Sequence, residues 1–391
     1  MASLPGAGKT TLTLKRKLLR INWFMVAVTA AIAAFGSVML YSVAGGKLSP
    51  WAGVHMWRFA FGLGVLLLVA LIDIRIWLKL AFPMYALALG LLCLVPLFGE
   101  KAMGAQRWLE LGGFQVQPSE LMKVALVLAL AAYYNWLPEE KVSKPHYLAL
   151  PLAMIAVPVL LVLKQPDLGT AGLLFAGGMA VVFLSGVHWL YFAAGVLGTG
   201  GAVPFLWSYL HDYQKARVLT FLDPERDPMG AGYHIIQSKI AVGSGGISGK
   251  GLMSGTQSQL NFLPEKHTDF IFTTLAEEFG LIGAGGLLAL YMTIILLGIY
   301  IAIRCRNRFG RLIAGGLTFT FFLFVFINVA MVTGLVPVVG VPLPLVSYGG
   351  TAMLTLMVGI GFLLNAAVHR TVETGPQGGR GAASAWPVRD S

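Results

Sequence analysis

The 391 residues are 57% hydrophobic and only 12% charged, with a mean hydropathy of +0.76. Soluble domains carry about 25% charged residues, so a water-exposed enzyme of ordinary type and a disordered scaffold are both excluded. The net charge of +11 invites a nucleic-acid reading that the placement of the charges must decide, and the two cysteines, Cys93 and Cys305, exclude a disulfide framework or a cysteine-rich metal site.

A membrane-spanning helix needs about 20 apolar residues. Ten such stretches follow in chain order, near 22–42, 54–72, 77–97, 118–137, 147–163, 170–186, 188–208, 275–302, 311–335 and 348–367. The expected fold is therefore an all-α polytopic membrane protein of about ten transmembrane helices. One large extracytoplasmic loop, 209–268, joins spans seven and eight. Residues 1–21 and 371–391 read as tails flanking a single ten-helix domain over 22–370, the second tail being rich in Gly, Ala and Arg. The first span is too long for a cleaved signal peptide, and no small-residue cleavage site follows it.

Of the 28 Lys and Arg residues, 16 fall on the side that carries both termini and 6 on the opposite side, with the remaining 6 in the long loop. This asymmetry places both termini in the cytoplasm. The basic residues then face anionic lipid headgroups, and no nucleic acid is needed to explain them. Gly6-Ala7-Gly8-Lys9-Thr10-Thr11 looks like a phosphate-binding loop, but Ser3 stands at the first glycine position and no strand precedes it. The run Gly243 to Gly251 fails the same spacing, although its backbone N–H groups could cradle a phosphate as readily as serve as a connector.

Connections elsewhere are short, so the loop of roughly 60 residues is the expected working part. Ile235, Ile236, Lys239 and Ile240 have the spacing of an amphipathic helix lying in the interface. The loop ends in Leu263-Pro264-Glu265-Lys266-His267-Thr268-Asp269-Phe270-Ile271-Phe272. Asp269 enters the membrane boundary there among apolar neighbours, an expensive placement that marks a candidate functional site. Desolvation suits it to general-base work, and a helix cap is the competing role. Other charges share the same face. Glu120 and Lys123 are three apart and can pair, Lys164 and Asp167 flank Pro166, Arg107 precedes the fourth span, and Glu277-Glu278 are consecutive in the eighth. For each a structural ion pair is the plainer reading, and together they describe an outward-facing polar cavity holding both signs of charge. His267 has no second ligand and is not read as a metal site.

Four stretches carry a resemblance. They are Gly104 to Lys123, with Gln117-Pro118-Ser119-Glu120; Gln165-Pro166-Asp167-Leu168-Gly169-Thr170; Gly232 to Gly280; and Pro342-Leu343-Pro344-Leu345-Val346-Ser347-Tyr348-Gly349-Gly350. In this order the chain resembles the shape, elongation, division and sporulation (SEDS) family, and within it the RodA branch more than the division paralogue FtsW. The resemblance implies a peptidoglycan glycosyltransferase that polymerises lipid II, releases undecaprenyl diphosphate and works with a class B penicillin-binding protein. The family's essential loop acid maps onto Asp269, its fourth-span Glu and Lys onto Glu120 and Lys123, and the acid of its Gln-Pro-Asp motif onto Asp167. Arg107, Lys164, Lys239 and Ser347 join these as candidate diphosphate-binding or supporting residues.

Such a reaction joins a sugar 4-hydroxyl to an anomeric carbon bearing a lipid diphosphate, with inversion, and needs one general base. Diphosphate leaves readily, so positive charge from Arg107, Lys123 or a divalent cation, magnesium or manganese, can replace a general acid. A transporter that flips lipid-linked precursors is the competing function, and a noncatalytic scaffold is a third.

Overall fold

The computed structural model describes residues 13–374 except 103–104, 112–113, 210–214, 216–218, 222, 224–230, 261 and 263–265. The Gly6–Thr11 run, Gly104, the Leu263–Glu265 part of the loop, and most of both tails lie outside the described residues.

Helices α1 (Leu14–Arg20), α2 (Trp23–Val43), α3 (Ala52–Leu71) and α4 (Ile74–Phe98) open the chain. After a small sheet come α5 (Pro118–Trp136), α6 (Pro145–Lys164), α7 (Leu168–Leu184) and α8 (Trp189–Tyr209). The loop region contributes α9 (Ala231–Ser244) and the short α10 (Thr256–Gln259), and the bundle closes with α11 (Ile271–Arg304), α12 (Arg308–Val332) and α13 (Gly350–Val368). Ten of these helices coincide with the ten expected spans. Seven are, among the described residues, long and apolar enough to cross a membrane.

Local chemistry sets the boundaries. Asn22 caps α2 by accepting from Met25 N, Asp73 caps α4 from Arg75 N, and Asn307 caps α12 from Gly310 N. Pro118 and Pro145 open α5 and α6, where a missing N–H costs nothing. Helix α5 is the hub: from Pro118 to Ala132 every residue except Leu121 is buried, against α4, α6, α7, α12 and α13. A helix buried all round belongs to the centre of a bundle. At the periphery Phe61, Leu68 and Leu87 are more than half exposed, an arrangement that hydrocarbon tolerates and water does not.

The connection between α4 and α5 differs from the all-helical expectation. It is a three-stranded antiparallel sheet of β1 (Glu100–Ala102), β2 (Ala105–Leu111) and β3 (Phe114–Val116). Leu109 pairs with Val116 and Leu111 with Phe114, across Gly112-Gly113. A Gly-Gly pair between two such runs is a hairpin signal, and the search for apolar spans passed over it.

Helix α11 also departs from a simple span. Its 34 residues are far longer than the about 20 a bilayer needs, and Gly280 (φ 61°, ψ −158°) breaks it near its start. The glycine-rich run after α9 lies in the break. Lys250 N donates to Glu277 O (3.0 Å) and Gly251 N to Glu278 O (2.9 Å), while Leu281 N and Ile282 N donate to Gly246 O and Ile247 O (3.0 and 3.1 Å). A connector is thus the role the structure gives to this run. A Cβ on Gly280 would run into Gly249 N and Ile247 O. Gly280→Ala is expected to lower stability by at least the about 1–3 kcal/mol of a glycine-only conformation, read as a fall in the melting temperature of the detergent-purified chain. Unchanged melting would contradict this account of the break.

Candidate active site

Asp269 lies half-buried in the turn that leads into α11. The N-cap of that helix falls on Phe270, which supplies no side-chain cap, so Asp269 stands one residue ahead of the capping position. Two polar side chains hold its surroundings. Asn328 of α12 donates from Nδ2 to the Asp269 carbonyl (2.9 Å) and to Val341 O (2.7 Å). Ser347 Oγ donates to Thr268 O (2.6 Å) and accepts from Leu343 N (2.8 Å), and Tyr348 N donates to His267 O (2.9 Å). The loop end and the chain before α13 are therefore laced together through the carbonyls of His267, Thr268 and Asp269. Its carboxylate faces Gly340, where an added Cβ would stand 3.3 Å from Oδ2. Gly340 has φ +71°, so the close approach and the backbone both call for glycine there.

The Gln165–Thr170 turn meets the same segment from the other side. Asp167 caps α7, with Oδ1 accepting from Thr170 N (3.1 Å) and Oδ2 from Thr170 Oγ1 (3.0 Å). Arg107, on β2, donates to Gln165 O (3.3 Å) and Pro166 O (2.7 Å) and lies 3.7 Å from the Asp167 carboxylate. Gly169, just inside α7, packs so tightly on Val339 and Val341 that a Cβ would strike the Val339 carbonyl. Asp167 and Asp269 thus flank one short stretch, 339–341. The sheet is what brings Arg107 to the acid of the Gln-Pro-Asp motif.

Glu120 and Lys123 form the expected pair, with Nζ to Oε1 at 2.6 Å and both side chains at most 5% exposed. They lie deeper than expected. Lys123 Nζ sits 4.1 Å from the centre of the Phe324 ring, one turn of α12 before Asn328, and Phe324 packs with Leu173 and Val341. The pair lines a cavity of about 30 Å³ whose other walls include Leu317, Phe321 and Leu363. Such a space holds about one water molecule. In place of one open cavity with both signs of charge, the structure has a half-exposed site around Asp269 and Arg107 and, apart from it, a buried pair. With its ammonium already engaged, Lys123 is not placed to meet a diphosphate.

The remaining candidates are dispersed. Lys164 ends α6, exposed and without an ion pair among the described residues. Lys239 is exposed on α9, which does form over the predicted amphipathic stretch, and its side chain runs against Gly334. Glu277 and Glu278 are both buried. Glu277 Oε1 accepts from Lys250 Nζ (2.8 Å), and Glu278 takes the Ser42 hydroxyl of α2. Lys266 Nζ donates to Ser258 O (2.6 Å), and burial holds its amine below the ordinary lysine value.

Several contacts escaped the sequence reading. His267 stacks on Trp51 (4.7 Å between ring centres), and Arg58 lies 4.9 Å over the Tyr348 ring and against Gly350 at the start of α13. An arginine at a helix N-terminus suits an anion. The signal for Asn328 was available as a lone amide in an apolar span, which must find partners.

The FtsW/RodA/SpoVE cell cycle protein model matches residues 22–372. The chain belongs to this family. It is 46% identical over 349 residues to the peptidoglycan glycosyltransferase MrdB of Escherichia coli strain K12, covering 88% of this chain and 93% of that protein. A probable peptidoglycan glycosyltransferase FtsW of Geobacter metallireducens is 34% identical over 370 residues, covering 90% and 96%. Among solved structures, a chain from work on structural coordination of polymerization and crosslinking by a peptidoglycan synthase complex matches with TM-score 0.76 and 36% identity, over 90% of this chain and 98% of that one. The crystal structure of the rod shape determining protein RodA of Thermus thermophilus matches with TM-score 0.66 and 30% identity, over the same shares.

Removing one member of a buried ion pair strands its partner at a cost of about 3–5 kcal/mol. Glu120→Ala and Lys123→Ala are each expected to abolish folding or activity, and the exchange Glu120→Lys with Lys123→Glu to recover part of it. Melting temperature and glycan synthesis check this, and wild-type behaviour of either single variant would contradict it.

Proposed function

We propose that this chain is a peptidoglycan glycosyltransferase that joins lipid II disaccharide units into glycan strands for cell-wall elongation, with Asp269 as general base. The observation that carries the reading is the placement of Asp269. It is a half-buried carboxylate at the membrane boundary, clear of the capping position and held between two laced segments. The 46% identity to MrdB, against 34% to an FtsW protein, favours the elongation branch over division.

In the proposed step Asp269 takes the proton from the 4-hydroxyl of one disaccharide unit. The freed oxygen bonds to the anomeric carbon of another, and that carbon's bond to diphosphate breaks on the opposite face, turning an α-linked donor into a β-linkage. In this reading Arg107, 30% exposed beside Asp167, and Arg58 of α3, which lies against Gly350, steady the departing undecaprenyl diphosphate. Ser347, Asp167 and the Glu120–Lys123 pair act as supports, through the backbone and packing they fix. For magnesium or manganese, no group of three or more His, Cys, Asp or Glu side chains among the described residues could hold the ion, so no step is routed through it.

The chain is a multi-pass membrane protein. The charge asymmetry supports a bacterial inner-membrane location with both termini cytoplasmic and the Asp269 face outward. The likeness to a chain of a synthase complex that coordinates polymerization and crosslinking supports a class B penicillin-binding protein as partner.

Asparagine keeps the size of aspartate but cannot accept the proton, so Asp269→Asn is expected to lose about 10²–10⁴-fold in rate while folding normally. The test is purified chain with lipid II, its products resolved on a gel. Long glycan strands from the variant at near wild-type rate would remove Asp269 as base. Transport of lipid II without polymerisation by the wild type would replace the polymerase reading with the flippase one.

A further inference from the structure

The far end of α11 from Asp269 carries a second site. A cavity of about 280 Å³ opens where α1, the start of α2 and the ends of α11 and α13 meet, lined by Leu19, Arg20, Asn22, Tyr300, Arg304 and Arg370 among others. Three guanidinium groups line this space and no carboxylate does. None of the three makes an ion pair among the described residues.

Capping of the nearby helix ends does not account for them. The last turns of α11 and α13 are closed by backbone, Cys305 N to Ile301 O (3.0 Å) and His369 N to Asn365 O (2.9 Å). Among the described residues, only Arg20 of the three reaches a carbonyl there, Val368 O, at 3.5 Å. Asn22 spends its side-chain oxygen on capping α2, which leaves its amide N–H groups for a ligand. Arg304 lies 5.3 Å over the Tyr300 ring, which holds the guanidinium in place and leaves its N–H edge open.

The surroundings select the kind of anion. Leu19 (76% exposed), Trp23 (51%), Tyr300 (50%) and Ile303 (76%) stand at the same helix ends. Exposed Trp and Tyr at the ends of apolar helices mark the headgroup level of a bilayer, and the aliphatic residues beside them suit acyl chains. We propose that this cavity binds the phosphate headgroup of an anionic phospholipid from the leaflet on that side, with Arg20, Arg304 and Arg370 as the charge-assisted donors. A guanidinium presents two parallel N–H groups to a phosphate, which a diffuse headgroup attraction does not require.

The test is native mass spectrometry of the delipidated full chain in detergent, offered equal phosphatidylglycerol and phosphatidylcholine. One phosphatidylglycerol per chain is expected to be retained in preference to phosphatidylcholine. Arg20→Gln, Arg304→Gln and Arg370→Gln should each weaken retention about five-fold, and the triple variant should lose the preference. Should the triple variant fail to fold, the single variants decide, since each keeps two of the three charges. Equal retention of both lipids by the wild type, or undiminished preference in all folded variants, overturns the proposal. A parallel arm adds sodium phosphate alone. Displacement of phosphatidylglycerol by millimolar phosphate would assign the cavity to a soluble anion and overturn the lipid reading.

Discussion

Every backbone polar group that a bilayer encloses must find its partner inside the protein, and this one constraint shapes the bundle from end to end. At several helix ends and irregular segments a buried amide or hydroxyl side chain answers the exposed carbonyls. Asn365 of α13 donates to three carbonyls at the end of α3, those of Val69, Ala70 and Ile72. Asn135 reaches Thr374 O, and Tyr291, buried in α11, donates to Pro344 O (2.6 Å). Asn328 belongs to the same class. Asp269 is held in place by the device that lets irregular chain exist at membrane depth.

This organisation separates rigidity from access. Helix α5, the buried Glu120–Lys123 pair and the Phe324 layer form a closed floor. Above it the half-exposed residues, Arg107, His267 and Asp269, come from a strand and a loop end. Polar reactive groups on irregular chain, positioned by a packed scaffold, are the usual division of labour between loops and core. Here the scaffold presents them at one face of the bundle, beside exposed apolar helix surfaces.

Much of this was legible in the sequence. The ten apolar stretches emerge as helices because burial in lipid leaves the chain few alternatives, and Glu120 with Lys123 three residues on had to share a helix face. Asp269 stood out as a costly acid at a boundary, and Asp167 through the resemblance of its Gln-Pro-Asp motif. What stayed hidden depended on long-range closure. The hairpin between α4 and α5 is too short and mixed to register in a hydropathy search. The break in α11 could not be seen because Glu277 to Ile282 reads as helix until the loop 246–251 is placed beside it. The depth of the Glu120–Lys123 pair is likewise a property of the neighbours, Phe324 above all, which spacing along α5 does not report.

The exchange of hydrogen bonds at Gly280 has a consequence for how the chain is made. The segment that completes α11, residues 246–251, leaves the ribosome before α11 does and must already stand on the same side of the membrane as the helix start. Until it docks, the amides of Leu281 and Ile282 can close onto the carbonyls of Glu277 and Glu278 four residues back, the pairing of a straight helix. Helix α11 is therefore satisfied in either shape, and the docking of residues 246–251 exchanges its own bonds for those of the bent form.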